Sequence, residues 1–304
     1  MEKRENPVPL NAWMTAAILA PLAIAAPESG WVTNLLVGIL AAVVLPWVKR
    51  SKRQISRWIW IVQIVWCIVL LIYYLGFLSL IWKGSGDLFM PACMLLLGLW
   101  GARKGKFACA SVGAVLLWLV FPFFGGICLA AAEDIVWKWA VRNGMEYSPS
   151  VITAYLIPGM MWHLSGERKE REGKWYILLP VIGSVLCLVV RGTVPKLEPG
   201  TIGLSELSRG VEVFGRVMRL EAIAAMAMTV SLFCLLSMLL TSVKYCAESI
   251  SKNRKEWILD IAAIVVHAGM LFKMTISDEI AAIGSVICWV ILPLATQFVG
   301  PGKK

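Results

Sequence analysis

The chain has 304 residues, of which 59% are hydrophobic and 16% charged, and its formal net charge is +10. A soluble protein carries about a quarter charged residues, so this composition excludes a soluble globular protein and favours an integral membrane protein. The positive charge does not indicate a nucleic-acid partner. Nearly all charged residues lie in short clusters between long apolar runs, as the positive-inside rule expects.

Ten apolar segments follow one another along the chain, and most approach the ~20 residues that a helix needs to cross the hydrocarbon core. Helices are expected because open strands would leave backbone groups unpaired in lipid. The whole chain, residues 1–304, is therefore predicted to form a single all-α membrane domain. The predicted helices span 10–27, 31–48, 58–81, 88–101, 107–124, 149–164, 175–191, 219–243, 257–273 and 280–299.

The first segment ends in LAPLAIAAPESGW, residues 19–31, and this stretch admits two interpretations. Its A-x-A triplet at 23–25 is typical of a cleaved signal peptide. A retained helix is favoured, because the N-terminal region carries two glutamates and Pro27 follows the cleavage point, where signal peptidase generally fails. We therefore expect a retained first helix that is disturbed at Pro21 and ends at Pro27.

The loop charges predict the orientation of the chain in the membrane. With the N-terminus inside and ten crossings, 20 of the 29 Lys and Arg residues fall on the inner side. Both termini are therefore predicted to be cytoplasmic. The long outer segment 192–218 contains an amphipathic stretch from Leu204 to Met218. This stretch predicts an interfacial helix that either lies on the membrane or covers a ligand site.

Three stretches resemble one family, the B subunits of bacterial spore germination receptors. Residues 91–119 resemble its fourth and fifth helices, with Ala102, Arg103, Lys104 and Gly105 in the turn between them. Residues 212–240 resemble the entry into its eighth helix, with Phe214, Arg216 or Arg219, and Glu221. Residues 22–45 resemble its first broken helix, a short outer turn and the second helix. These proteins are permease-like members of the amino acid–polyamine–organocation superfamily.

The resemblance implies an inverted-repeat amino-acid permease fold, in which broken first and sixth helices supply ligand-binding backbone groups. It also implies a multi-pass protein of the inner spore membrane that senses a small nutrient, such as an amino acid, and triggers germination. Other germinant receptor subunits and the lipid bilayer would be its partners. One region departs from the family: residues 125–148 are compressed, where the family carries a proline-bearing loop and a longer broken helix.

Two alternatives to a receptor remain open. The same fold serves secondary amino-acid transporters, although the sequence lacks the acidic pairs expected of a proton-driven one. The compression at 125–148 is also compatible with a degenerate structural subunit that keeps the bundle and has no ligand site.

The candidate ligand-binding residues lie on the predicted first, sixth and eighth helices. A proline frees a backbone carbonyl, and neighbouring alanines let a small ligand approach the backbone. Hydroxyls can orient an amino-acid-like ligand, but in membrane helices they also bond to their own backbone or to neighbouring helices. The candidates are Ala20, Pro21, Ala25 and Pro27 on the first helix, Ser150, Thr153 and Tyr155 on the sixth, and Thr229 on the eighth.

No feature of the sequence predicts an enzyme. Nucleophile motifs, Gly-rich phosphate loops and metal-ligand spacings are absent, so no catalytic residue, cofactor or metal site is expected. The eight cysteines lie in or beside apolar runs and form no C-x-x-C pair, which is typical of packing residues.

Overall fold

A computed structural model of the chain describes residues 8–50, 57–82, 88–159, 173–194, 207–208, 212–213, 216–217, 220–250 and 257–298. The helices are α1 (Val8–Ala25), α2 (Trp31–Arg50), α3 (Arg57–Ile81), α4 (Phe89–Lys104), α5 (Lys106–Ala130), α6 (Trp137–Arg142), α7 (Pro149–Leu156), α8 (Gly173–Thr193), α9 (Glu221–Ile250), α10 (Trp257–Leu271), α11 (Asp278–Val286) and α12 (Leu292–Phe298). A 3₁₀ turn covers Ala132–Asp134, and a π-helical turn, Ile287–Ile291, joins α11 to α12.

The described part of the chain is almost entirely helical, which confirms the predicted all-α fold. Each of the ten predicted segments contains an observed helix; the segment predicted at 58–81, for example, forms α3. By length and composition, five described helical stretches can cross a membrane, so the chain is an all-α membrane protein. They are Trp31–Val48, Arg57–Ile81, Lys106–Asp134, Glu221–Ile250 and Asp278–Ala295.

The structure of the first helix differs from one expectation, that of a broken helix. α1 continues through Pro21 to Ala25, so the broken first helix that the resemblance implies is wrong, and the helix ends two residues before Pro27. Every residue from 13 to 27 is buried. A proline is tolerated inside such a helix because neighbouring helices can supply partners for the backbone groups that it leaves free.

The predicted sixth helix, 149–164, is interrupted after Leu156. α7 ends at Leu156, where the Ile157 N–H donates to the Ala154 carbonyl at 3.4 Å, a shorter-range bond than the α-helical one. Pro158 follows, and it has no N–H to donate to that carbonyl. Residues 160–164 of this predicted segment lie outside the described residues.

The structure differs from a second expectation, the interfacial helix predicted in segment 192–218. Glu212–Val213 (β1) and Arg216–Val217 (β2) pair as antiparallel strands, with Glu212 opposite Val217. The predicted interfacial helix is therefore wrong at these residues. The sequence offers two reasons, since valine favours extended backbone and Gly215 between the strands disfavours a helix interior. The remainder of the predicted helix lies outside the described residues, apart from 207–208, which are helical.

The region between α5 and α7, residues 131–148, folds as a short cap on the start of α2. It consists of the 3₁₀ turn, α6 and a loop that reaches α7. The Gly30 N–H donates to the Glu146 carbonyl at 2.7 Å, and the Val32 N–H donates to the Gly144 carbonyl at 3.0 Å. The Trp31 indole N–H donates to the Ala140 carbonyl at 3.1 Å, so backbone and side-chain bonds together fix this cap.

α1 lies in the middle of the bundle, which positions the candidate residues. It packs against α5, α9, α7 and α8. Around it, α2 packs on α8, α3 and α4 pack on α9, and α7 packs on α11. Small residues permit these close approaches: a Cβ at Gly113 of α5 would lie 2.8 Å from Cβ of Trp13 on α1.

Candidate functional site

The contact between α1 and α9 is held by a hydroxyl that bridges two backbone groups of α1. The Ala20 N–H donates to Ser231 Oγ at 2.8 Å, and Ser231 Oγ donates to the Ala16 carbonyl at 2.5 Å. In a regular α-helix these two backbone groups pair with each other. A side chain of α9 thus satisfies the backbone of α1 one residue before Pro21.

A second polar link joins the same two helices one turn earlier. The fully buried Trp13 donates its indole N–H to the Cys234 carbonyl at 3.1 Å and to Ser237 Oγ at 3.3 Å. We call the set Trp13, Ala16, Ala20, Ser231 and Cys234 the α1–α9 junction. Because polar groups inside a membrane protein need internal partners, these bonds fix the position of α1 against α9.

The four candidates on the first helix are all buried, and the protein supplies partners for three of them. The Ala20 N–H belongs to the junction. The Ala25 carbonyl accepts from Ser29 Oγ at 2.9 Å, and the Pro27 carbonyl accepts from Arg191 Nη1 at 2.8 Å. Pro21 lies inside α1. These backbone groups therefore bind protein side chains in this conformation.

The three candidates on α7 have different surroundings. Ser150 Oγ lies 2.7 Å from Ser148 Oγ, which in turn donates to Glu28 Oε2 at 3.2 Å. The Tyr155 hydroxyl donates to Asn34 Oδ1. Thr153 is fully buried, and its hydroxyl has no hydrogen-bond partner within the described residues. A buried hydroxyl without a partner costs free energy. Thr153 is therefore the candidate whose hydroxyl is available to form a hydrogen bond with a ligand.

Thr229 on α9 lies in a separate contact. Its hydroxyl donates to the Ala225 carbonyl at 2.7 Å, as a membrane hydroxyl commonly does to its own helix. It also accepts from the Trp82 indole N–H at 2.8 Å. The Thr229 hydroxyl thus has two protein partners and links the end of α3 to α9.

A buried arginine joins the ends of three helices at the predicted outer side. Arg191 at the end of α8 donates to the Pro27 carbonyl, which follows α1, and forms an ion pair with Glu146, which precedes α7. Its side chain is 11% exposed, whereas that of Glu146 is 49% exposed. A buried cation requires such partners, so this contact ties the α1, α7 and α8 ends together.

Several of these partners were not among the sequence-predicted site residues. Asn34 and Cys187 form a buried cluster with Tyr155, in which Asn34 Nδ2 donates to Cys187 Sγ at 3.0 Å. Ser231 lies 211 residues from Ala20 in the chain. The available signal was weak: Asn34 is a polar side chain within an apolar run, and such residues in membrane helices commonly bond across helices.

A cavity of about 500 Å³ lies apart from these residues, and we call it the outer cavity. Residues 72–80 of α3, the start of α4, the end of α10 and the loop before α11 line it, on the side predicted to be outer. None of the eight sequence-predicted residues lines it. Its walls are mainly apolar, including Leu75, Leu80 and Met270, but its lining also includes Lys273 and Asp278.

Comparison of the sequence with known protein families and with curated proteins finds no match. Within the described residues, no group of three or more His, Cys, Asp or Glu side chains could hold a metal ion.

Proposed function

We propose that the chain is the permease-like membrane subunit of a spore germinant receptor, which senses a small nutrient such as an amino acid. In this proposal it crosses the inner spore membrane ten times, has both termini in the cytoplasm, and works with other receptor subunits. The proposal rests on the resemblance of its motifs and on the pattern in which its helices pair.

The pairing pattern supports two five-helix halves related by an inverted repeat, the architecture of many transporter-like proteins. In such a repeat, α1–α5 correspond in order to α7–α11. Three helix pairs then have an equivalent pair under this correspondence. The α1–α5 contact is equivalent to the α7–α11 contact, and the α1–α8 contact is equivalent to the α7–α2 contact. The α4–α9 contact is equivalent to the α10–α3 contact. Under the same correspondence, the α2–α8 pair and the α3–α9 pair are each their own equivalent, and the helices of both pairs are in extensive contact. This recurrence supports the permease-like fold of the proposal, and the receptor role rests on the motif resemblance.

Contacts between distant residues support the proposed orientation. Arg103 and Asp260, both predicted at inner helix ends, form an ion pair. The Lys244 ammonium, also predicted inside, donates to the Ala102 carbonyl at 3.4 Å. At the predicted outer side, the Arg191–Glu146 ion pair joins α8 to the loop before α7. Residues assigned to one side by the loop charges are therefore neighbours in space.

Within this fold, Thr153 is the residue that best fits contact with the sensed nutrient. It lies on α7, which packs on α1, and these two helices correspond to each other in the proposed repeat. Its buried hydroxyl has no partner in the described part of the chain. A hydrogen bond between a ligand and this hydroxyl would remove the free-energy cost of burying the hydroxyl without a partner. This gain favours ligand binding.

The test is germination of spores that lack this gene, challenged with single amino acids and followed by loss of optical density. We expect a selective loss of response to one nutrient. Complementation with Thr153→Val should raise the required nutrient concentration by roughly tenfold, the value of one hydrogen bond. Thr241→Val is the matched control, because that buried hydroxyl donates to its own helix at the Ser237 carbonyl, 2.7 Å away. An unchanged response of the deletion spores to every nutrient would refute the receptor function.

The α1–α9 junction favours a second candidate, a structural subunit without a ligand site on the first helix. Ser231 already accepts from the Ala20 N–H, a candidate ligand-binding group, and donates to the Ala16 carbonyl. On this alternative, Thr153→Val leaves the nutrient response intact, while deletion of the gene lowers the amounts of the other receptor subunits in the spore membrane. Uptake of labelled amino acids by the reconstituted protein would instead identify a transporter.

A further inference from the structure

We propose that the outer cavity binds a small zwitterion with an apolar body, with its ammonium at Asp278 and its anionic group at Lys273. This inference concerns a location that none of the sequence-predicted ligand residues lines. It does not require the receptor function, because binding to the purified chain tests it directly.

The size and lining of the outer cavity fit a small ligand. Its volume of about 500 Å³ falls in the range of small-molecule sites, roughly 300–1,000 Å³. Such sites have mainly apolar walls and a few polar groups that fix the orientation of the ligand. Here the apolar wall includes Leu75, Leu80 and Met270, and the polar groups include the two charged side chains.

The two charges line one cavity without forming an ion pair with each other. Neither Lys273 nor Asp278 is in an ion pair within the described residues. Asp278 is held in place, because the buried Tyr73 hydroxyl donates to its Oδ1 at 2.8 Å. A carboxylate fixed in this way retains lone pairs for a ligand ammonium. One charge of each sign, both in the lining of a mainly apolar cavity, matches a zwitterion with an apolar body.

The backbone at Lys273 is also unusual. Its φ of 49° is in the left-handed region, where a glycine commonly ends a helix. The surrounding bonds are those of such a helix end: the Lys273 N–H donates to the Met270 carbonyl and the Met274 N–H to the Gly269 carbonyl, both at 3.0 Å. The chain thus has a lysine where glycine would be less strained, and that lysine lines the cavity.

Two sources can supply this ligand chemistry. A free apolar amino acid carries both charges and an apolar side chain. The headgroup of phosphatidylethanolamine carries an ammonium and a phosphate next to apolar chains. The experiment separates them by measuring amino-acid binding and co-purified lipid on the same protein.

The full chain is purified in detergent, and binding of labelled L-valine, L-leucine, L-methionine and L-phenylalanine is measured by scintillation proximity. For a free amino acid, we expect saturable binding of at least one of them. Removal of either charge from that ligand, as in 3-methylbutylamine or 4-methylpentanoate for leucine, should weaken competition at least tenfold. For the lipid source, mass spectrometry should find phosphatidylethanolamine bound to the chain.

Substitutions locate the site. A Cβ at Gly76 meets no atom within 4 Å, so Gly76→Leu fills the cavity without a backbone clash and should reduce binding more than tenfold. Gly126→Leu on α5 is the matched control, since Gly126 has the same open surroundings and does not line the cavity. Asp278→Asn should weaken binding about tenfold while keeping an acceptor for Tyr73.

Lys273→Gly separates binding from folding. It removes the ammonium and relaxes the left-handed backbone, so the melting temperature should stay the same or rise while binding weakens about tenfold. Unchanged amino-acid and lipid binding in both Gly76→Leu and Lys273→Gly would overturn the proposal. So would the absence of saturable amino-acid binding together with equal phosphatidylethanolamine content in Gly76→Leu and Gly126→Leu. Neither result would bear on the germination phenotype.

Discussion

The α1–α9 junction and the outer cavity differ in how their polar groups are satisfied. At the junction, Ser231 and Trp13 bond to backbone groups of the opposite helix, and all the side chains involved are buried. In the outer cavity, Lys273 and Asp278 line an open volume of about 500 Å³ and form no ion pair within the described residues. The first arrangement stabilises the bundle, whereas the second has space and charge for a ligand.

The difference predicts that substitutions at the junction change stability and substitutions at the cavity change binding. Two glycines, one in the packed core and one at the cavity, make this difference measurable. A Cβ at Gly183 of α8 would overlap the Tyr155 hydroxyl and lie 2.6 Å from Asn34 Oδ1, whereas a Cβ at Gly76 meets no atom within 4 Å. The same substitution is therefore expected to have opposite consequences in the packed core beside Tyr155 and at the cavity.

The largest expected effect is that of Trp13→Ala. This change leaves a large void in the middle of the bundle and removes the donor to the Cys234 carbonyl, so the free energy of unfolding should fall by about 3–5 kcal/mol. Thermal unfolding of the detergent-purified protein measures the loss. Trp118→Ala is the control, because Trp118 is 84% exposed and should change stability little. Equal melting temperatures for the two variants would contradict the assignment of Trp13 to the core.

The next effect is that of Gly183→Ala, which should lower the free energy of unfolding by about 1–3 kcal/mol because the Tyr155 side chain must move. Gly76→Ala, the same chemical change on α3, should leave stability unchanged or raise it by about 0.5–1 kcal/mol, since alanine favours helix over glycine. Melting curves of both variants test the contrast. A larger loss for Gly76→Ala than for Gly183→Ala would mean that the cavity is not open space.

The sequence predicted the helices well because bilayer-length apolar runs end at charged or small residues. The prediction at 58–81 and the observed α3 differ by one residue. The sequence left the exact break in the sixth helix open, and α7 ends at Leu156, two residues before Pro158. The break at Pro21 was wrong, because the sequence of one helix does not reveal which neighbour will satisfy its backbone.

Hydrogen-bond partners that are far apart in the chain could not be predicted either, because the sequence of one helix does not reveal which helix will lie beside it. Ser231 was not among the sequence-predicted site residues, yet it bonds to backbone groups of residues more than 200 positions away. The outer cavity joins residues 72–80 of α3 to residues 270–278, and neither stretch shows a binding pattern alone. The predicted interfacial helix was wrong at 212–213 and 216–217 for a local reason, since the valines there favour extended backbone and lie in the paired strands β1 and β2.

The smallest expected effect is that of Ser231→Ala, and it tests the junction most directly. Loss of the hydroxyl removes one bond to the Ala20 N–H and one to the Ala16 carbonyl, but these two groups can then pair with each other as in a regular helix. The net loss in the free energy of unfolding should therefore be only about 0.5–1.5 kcal/mol, the range of hydrogen bonds between membrane helices. Ser242→Ala is the matched control, since that buried hydroxyl bonds to the Met238 carbonyl of its own helix at 2.9 Å. Hydrogen exchange at the Ala20 amide should become faster in Ser231→Ala and stay unchanged in Ser242→Ala. Slower exchange with raised stability would instead mean that Ser231 strains α1, and that the serine holds the helix open near Pro21 at a cost to folding.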